Sequence, residues 1–161
     1  MPATQTVSDY EKERGKPPPS WNHGITQAHL IVALAQYEPD CTVLSELTLD
    51  LEGLPSNTTP DISIYGPTTT DYTHDTLRVA EPPLVAVWIA SPPESTQDVV
   101  NKIHGLLGAG VRSCWLVQPA MQTVTRYTDG AKPRTFSGDD TVEEPVLDGV
   151  EVGVNEVFGE A

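Results

Sequence analysis

The segment LVAVWIA at residues 84–90 constrains the fold more than any other part of the sequence. It is apolar at every position, whereas a strand with one solvent-facing side alternates apolar and polar residues. The segment therefore predicts a central β-strand that other layers cover on both faces. Ser95 and Asp98 follow with the spacing of a helix N-cap, and an apolar helical stripe continues to Gly108. Residues 114–117 predict a further buried strand.

The remaining segments predict one more helix and several strands around this centre. Ser20 has the character of an N-cap, and the helix that follows it ends at Pro39. Its apolar residues recur at helical spacing (Ile25, Ala28, Val32 and Ala35, beside Leu30, Leu34 and Tyr37). Strands are predicted over 43–51 and 61–65, a long loop over 66–83, and a hairpin that pairs 123–126 with 134–136. The predicted fold class is α/β (α+β), a mixed central sheet flanked by helices with a β-rich C-terminal part.

The length of 161 residues fits one domain, and 38% hydrophobic residues can supply its core. Residues 1–20 are polar and end in the run KPPP at 16–19. Because proline rings fix an extended backbone, this segment is predicted to be an extended N-terminal arm on the surface. Residues 21–161 are predicted to form the single domain.

The charge balance limits the partners of the chain. Nine basic and 23 acidic residues give a net charge of −14, which repels phosphate backbones and disfavours binding of bulk DNA or RNA. No apolar run approaches the roughly 20 residues of a membrane helix, and no signal peptide is evident, so a cytoplasmic protein without a membrane partner is expected. Cys41 and Cys114 lie in apolar stretches without a C-x-x-C motif, which favours buried free thiols.

The sequence lacks the phosphate-binding motifs G-x-x-x-x-G-K and G-x-G-x-x-G and the catalytic motifs G-x-S-x-G and H-E-x-x-H. His23 and His29 are six residues apart rather than four, and His74 and His104 stand alone, so the histidines are not expected to be ligands or bases. What remains is Asp61 at the start of a strand, the buried strand through Trp88, and Lys102 on the capped helix.

Four ordered segments resemble the Uma-two family of bacterial restriction endonuclease-like proteins. They are TPDISI at 59–64, PLVAVWIASP at 83–92, STQD at 95–98 with Lys102, and AGVRSCWLVQP at 109–119. The resemblance extends from Trp21 to about Pro119. It implies the restriction endonuclease-like fold of the PD-(D/E)xK nucleases, in which two acidic residues and a lysine act with a divalent ion on DNA.

The resemblance implies that Asp61 is a metal ligand and that Lys102 is the catalytic lysine, moved from the strand position of Ala90 to the helix. Mg²⁺ or Mn²⁺ would be the cofactor and DNA the substrate. The sequence departs from the family pattern at Trp88, which stands where the family has Glu. An indole carries one N–H donor and no oxygen with which to bind a cation. Glu46, Glu81 and Glu94 are the acidic residues that could substitute, and Glu46 is the metal-ligand candidate among them.

Two functions follow as hypotheses. The first is a metal-dependent DNA phosphodiester hydrolase whose activity is impaired at Trp88. The alternative is a non-catalytic module that keeps the nuclease fold and forms a homodimer or binds another protein. A third hypothesis, a DNA mimic, rests on the net charge alone.

Overall fold

The computed structural model describes residues 8–159. Over these residues the four helices are α1 (Asp9–Arg14), α2 (Trp21–Ala35), α3 (Thr96–Gly108) and α4 (Val154–Phe158). The strands are β1 (Thr42–Ser45), β2 (Thr48–Leu49), β3 (Ile62–Tyr65), β4 (Arg78–Val79), β5 (Val85–Ile89), β6 (Ser113–Gln118), β7 (Thr123–Thr128), β8 (Arg134–Ser137), β9 (Thr141–Glu143) and β10 (Glu151–Gly153).

Six strands of the described chain form one mixed sheet in the order β1-β3-β5-β6-β7-β8. The central pair β5 and β6 is parallel, because α3 connects them, and the other neighbours are antiparallel. The pairs β9–β10 and β2–β4 make two small separate sheets. The fold is therefore mixed α/β, as the sequence predicts.

Helices cover both faces of β5, which explains why its sequence is apolar throughout. Val85, Val87 and Ile89 pack on the side of α2 and α4, whereas Ala86 and Trp88 pack on the side of α3. Every residue of β5 is buried. The prediction of a doubly covered central strand is confirmed, and so are the N-caps of Ser20 and Ser95, each of which accepts a backbone N–H three residues on.

Three local predictions differ from the structure. Residues 43–51 form two short strands instead of one, because the chain turns at Glu46, whose φ is 57°. Part of the segment predicted as an extended arm is helical: Ser8 caps α1, and Gly15 ends it with a φ of 69°. Residues 1–7 of that arm lie outside the described range. The third difference is β4, a two-residue strand inside the segment 66–83 that is predicted to be a loop.

The structure also shows which side of α2 faces the sheet, a point that the sequence leaves open. Its core side carries Leu30, Ala33 and Leu34, together with the buried polar residues His23 and Thr26. The predicted apolar stripe lies on the opposite side of the helix and is exposed (Ile25, Ala28, Val32 and Ala35). The helix thus has two apolar sides, and only one of them packs against the sheet.

Candidate active site

The buried carboxylate of Asp61 is the centre of the site. Asp61 immediately precedes β3, and its backbone N–H donates to Val87 O at 3.0 Å, which fixes it beside β5. Its side chain is 0% exposed. A carboxylate removed from water in this way is costly unless its oxygens are paired and hydrogen-bonded.

Three groups pair the Asp61 carboxylate. The Lys16 ammonium donates to Oδ1 at 2.6 Å, His23 Nε2 lies 2.9 Å from the same oxygen, and the backbone N–H of Ile89 donates to Oδ2 at 2.6 Å. Burial opposes ionisation, but the hydrogen bond from His23 and the charge of Lys16 outweigh it and hold the pKa of Asp61 below its ordinary value of 3.8. The group is therefore an ionised, fully paired carboxylate at neutral pH.

Glu46 lies next to Asp61, because β1 and β3 pair antiparallel with Ser45 opposite Ile62. Its backbone N–H donates to Asp61 O at 3.1 Å. The Lys16 Nζ atom is 2.7 Å from Glu46 Oε2, so a single ammonium group bridges the two carboxylates. Gln27 Nε2 donates to Glu46 Oε1 at 3.1 Å and to Asp61 O at 2.9 Å, which holds the same pair together from α2.

Trp88, Glu94 and Lys102 form a second group on the α3 side. The Lys102 Nζ atom is 3.2 Å from Glu94 Oε2 and 4.5 Å from the centroid of the Trp88 ring. The Trp88 indole N–H donates to the same Glu94 oxygen at 3.3 Å. Glu94 Oε1 accepts the backbone N–H of Ser91 at 3.1 Å. Glu94 thus pairs with Lys102 and Trp88 rather than with Asp61.

The indole of Trp88 connects its own group with the Asp61 group. It is 2% exposed, and the Lys16 Nζ atom is 5.6 Å from its ring centroid. Both ammonium groups are within the distance of a cation–π contact. Of the sequence candidates, the structure brings Glu46 to Asp61 and brings Glu94 and Lys102 to Trp88. Glu81 is exposed, and its backbone oxygen accepts from Tyr65 at the opposite end of β3 from Asp61.

Sequence reasoning missed Lys16 and His23. The sequence predicts a surface position for Lys16, yet its side chain is buried, with 4% exposure. The Lys102 ammonium donates to the adjacent Gly15 O at 2.9 Å. A signal for His23 is present in α2: His23 and Gln27 are four residues apart, and their polar side chains share one helix side with buried residues. Polar groups on a core-facing helix side need partners, and Asp61 provides them.

The arrangement does not fit a divalent ion. No three His, Cys, Asp or Glu side chains converge as a metal site within residues 8–159. Mg²⁺ requires oxygen ligands in a near-octahedral shell at about 2.0–2.1 Å. The space between Asp61 and Glu46 is instead taken by the Lys16 ammonium, and Trp88 offers no oxygen.

A cleft of about 450 Å³ opens beside the site at the carboxyl ends of β5 and β6. The N-terminal ends of α2 and α3 form its sides, and its lining includes Trp21, His23, Glu94 and Gln118. It borders both side-chain groups, and its volume is in the range of small-molecule sites.

Among the described helices, none is long and apolar enough to cross a membrane.

Comparison with known proteins identifies a related family. A family model described as "Uma2: Putative restriction endonuclease" matches residues 12–155. A search of curated protein sequences gave no match. Among solved structures, the chain is similar to the crystal structure of a "putative nuclease belonging to DUF820" from Anabaena variabilis, with a TM-score of 0.75 and 22% identity. The match covers 89% of this chain and 83% of that chain. At this identity the likeness shows a common fold.

Proposed function

Because the chain belongs to the Uma2 family, whose model is described as "Putative restriction endonuclease", we propose that it is a nuclease-fold protein whose metal-dependent hydrolysis of DNA phosphodiesters is impaired. The observation that carries the proposal is the position of Lys16. Its ammonium nitrogen lies 2.6 Å from Asp61 and 2.7 Å from Glu46, the two carboxylates that would otherwise hold a cation. The site therefore contains its own positive charge.

An ammonium group cannot replace a divalent ion in this reaction. Hydrolysis of a phosphodiester requires a nucleophilic water and a cation that offsets the charge growing on the phosphoryl oxygens. A metal ion does both, because it binds water directly and lowers the pKa of that water. The Lys16 ammonium has three protons to donate and no coordination position for water.

Trp88 is a second observation that supports the proposal. It stands where the family pattern has a glutamate, and its indole supplies an N–H to Glu94 in place of a ligand oxygen. Of the acidic residues that could supply the missing carboxylate, Glu46 is the one that lies beside Asp61. Its side chain already contacts Lys16 and Gln27. With a net charge of −14, the chain also offers little long-range attraction for DNA.

The first test is cleavage of supercoiled plasmid and single-stranded DNA in Mg²⁺ and in Mn²⁺. Wild type is expected to cleave no faster than Asp61→Asn, whose folding is checked by circular dichroism. Asp40→Asn is the matched control, because it makes the same change at an exposed position. Metal-dependent cleavage that persists in Asp40→Asn and disappears in Asp61→Asn would overturn the proposal.

A second test restores the missing chemistry and measures metal binding rather than activity. Trp88→Glu combined with Lys16→Ala removes the resident ammonium and adds a carboxylate, so Mn²⁺ binding by calorimetry is expected. Trp88→Glu combined with Lys12→Ala is the control, because Lys12 is exposed in the same N-terminal segment. If the first double variant is folded and binds no Mn²⁺, Lys16 and Trp88 do not account for the impairment.

A further inference from the structure

The exposed side of α2 is an apolar surface without a partner in the described chain. Trp21 is 84% exposed, Ile25 46% and Val32 74%, and Ala28 and Ala35 are exposed as well. We call these five residues the α2 face. Scattered exposed apolar residues are normal, but a continuous line of them along one helix marks an interaction surface.

The spacing of the α2 face has the form of a helix–helix seam. Positions 21, 25, 28, 32 and 35 are separated by alternating steps of four and three residues. This is the a/d pattern with which two helices pack side by side. The face extends about 21 Å along the helix at 1.5 Å per residue. A second helix of equal length therefore fits it.

The distribution of charge in the chain favours a second copy of α2 as that helix. Residues 21–35 contain no Asp, Glu, Lys or Arg, in a chain whose net charge is −14. Two copies of so acidic a chain repel each other through most of their surfaces. The α2 face is a place where they can meet without bringing formal charges together. A strongly charged partner would find no complementary charge there.

The sizes of the side chains make the α2 face complementary to itself in an antiparallel arrangement. With a twofold axis at Ala28, Trp21 lies opposite Ala35 of the second copy, and Ile25 lies within one residue, about 1.5 Å along the axis, of the level of Val32. The largest side chain thus meets a small one at each end, and an alanine at the centre allows close approach. A parallel arrangement would instead place the two Trp21 side chains against each other.

We propose that the α2 face docks a second copy of this chain and forms an antiparallel, twofold-symmetric homodimer. The proposal goes beyond the nuclease question, because it holds whether or not the site cleaves DNA. One helix face is small beside the roughly 800 Å² per partner of a standard interface, so we expect dissociation at about micromolar concentrations. Salt should tighten the dimer, because it screens the repulsion between the acidic copies.

Sedimentation velocity over about 1–100 µM protein tests the proposal, a range that brackets micromolar dissociation. Wild type should shift from the 17.4 kDa monomer to a dimer of twice that mass. Val32→Glu should raise the dissociation constant at least about tenfold. Leu77→Glu is the matched control, because Leu77 is an 86% exposed apolar residue outside α2, and it should dimerise like wild type. A monomeric wild type, or equal effects of the two folded variants, would overturn the proposal.

Cysteine cross-linking tests the antiparallel geometry directly. Ala28→Cys lies at the twofold axis and should form an intermolecular disulfide on mild oxidation. Ala35→Cys faces Trp21 of the other copy and should not, because disulfide formation requires Cα atoms within about 7 Å. Equal cross-linking of both variants, or none at Ala28→Cys, would contradict the arrangement.

Discussion

Replacing Lys16 with methionine tests the central contact of the site. Methionine retains a long, flexible side chain but removes the ammonium that bridges Asp61 and Glu46. Asp61 then keeps two partners, His23 at 2.9 Å and the backbone N–H of Ile89 at 2.6 Å. The perturbation therefore leaves a buried carboxylate with only part of its compensation.

The cost can be estimated from the burial of the two acids. Removing one partner of a buried ion pair costs about 3–5 kcal/mol. Asp61 is fully buried, but the Glu46 side chain is 27% exposed and can regain water. We therefore expect the lower end, a loss of about 3 kcal/mol in the free energy of unfolding at pH 7. Urea denaturation followed by tryptophan fluorescence measures it.

The pH dependence of the free energy of unfolding provides a second test. In wild type the lowered pKa of Asp61 means that, just below pH 3.8, the unfolded state binds more protons than the folded state. Stability is thus present above that pH and is lost as pH falls through the folded pKa. In Lys16→Met burial remains and part of the compensation is gone, so the pKa rises. The stability difference between the two proteins should shrink as the pH is lowered.

Lys12→Met is the control, because it removes the same charge from an exposed position in α1. It should change stability by less than about 1 kcal/mol, as exposed charges do. If Lys16→Met lowers the free energy of unfolding no more than Lys12→Met does, or if its effect is independent of pH, the buried ammonium does not compensate the charge of Asp61.

Three further predictions concern single side chains. Trp88→Phe should lower the free energy of unfolding by about 1–2 kcal/mol in urea melts, because it removes the hydrogen bond from the indole N–H to Glu94 and weakens the cation–π contact with Lys102. The control Trp21→Phe, at the surface, should change the free energy of unfolding little. Asp61→Asn should flatten the loss of stability below about pH 4, measured by the same melts. The Cys114 thiol, whose pKa burial raises to about 12, should react with a thiol reagent at pH 8 only when urea unfolds the protein; fast reaction of folded protein would contradict this.

The sequence predicts the centre of the fold well because local rules determine it. The run at 84–90 is apolar on both faces, and the β5 it predicts is buried by helices on each side. The Ser95 cap and the Gly108 end of α3 depend on hydrogen bonds within a few residues of each other. These features require no knowledge of distant parts of the chain.

The orientation of α2 could not be obtained in the same way. Its apolar residues form two lines, one through Leu30 and Leu34 and the other through Ile25 and Val32. A helical period shows that a helix is amphipathic or apolar, but two apolar sides leave open which of them faces the sheet. The tertiary fold decides it, because the side with His23 and Gln27 supplies the polar partners of the Asp61 site.

Only part of the site can be predicted, because some of its contacts join segments that are far apart in the sequence. Asp61 is marked by its position before a strand, and Glu46 follows from the neighbouring strand. Lys16 is 45 residues from Asp61 in sequence, and no spacing rule relates a lysine in a proline-rich segment to a strand that distant. Its burial depends on Gly15, whose carbonyl is held by Lys102, and on Arg14, whose guanidinium donates to Glu46 O at 2.9 Å.

An indole at position 88 and a buried ammonium at position 16 favour each other. Two carboxylates as close as those of Asp61 and Glu46 repel unless a cation lies between them. A glutamate at position 88 would add an oxygen ligand and favour a divalent ion, whereas the indole offers a π face that favours an ammonium group. Lys16 and Lys102 both lie within cation–π distance of that ring. Trp88→Glu alone should therefore create an ion pair with the resident lysines, and Mn²⁺ binding should require removal of Lys16 as well.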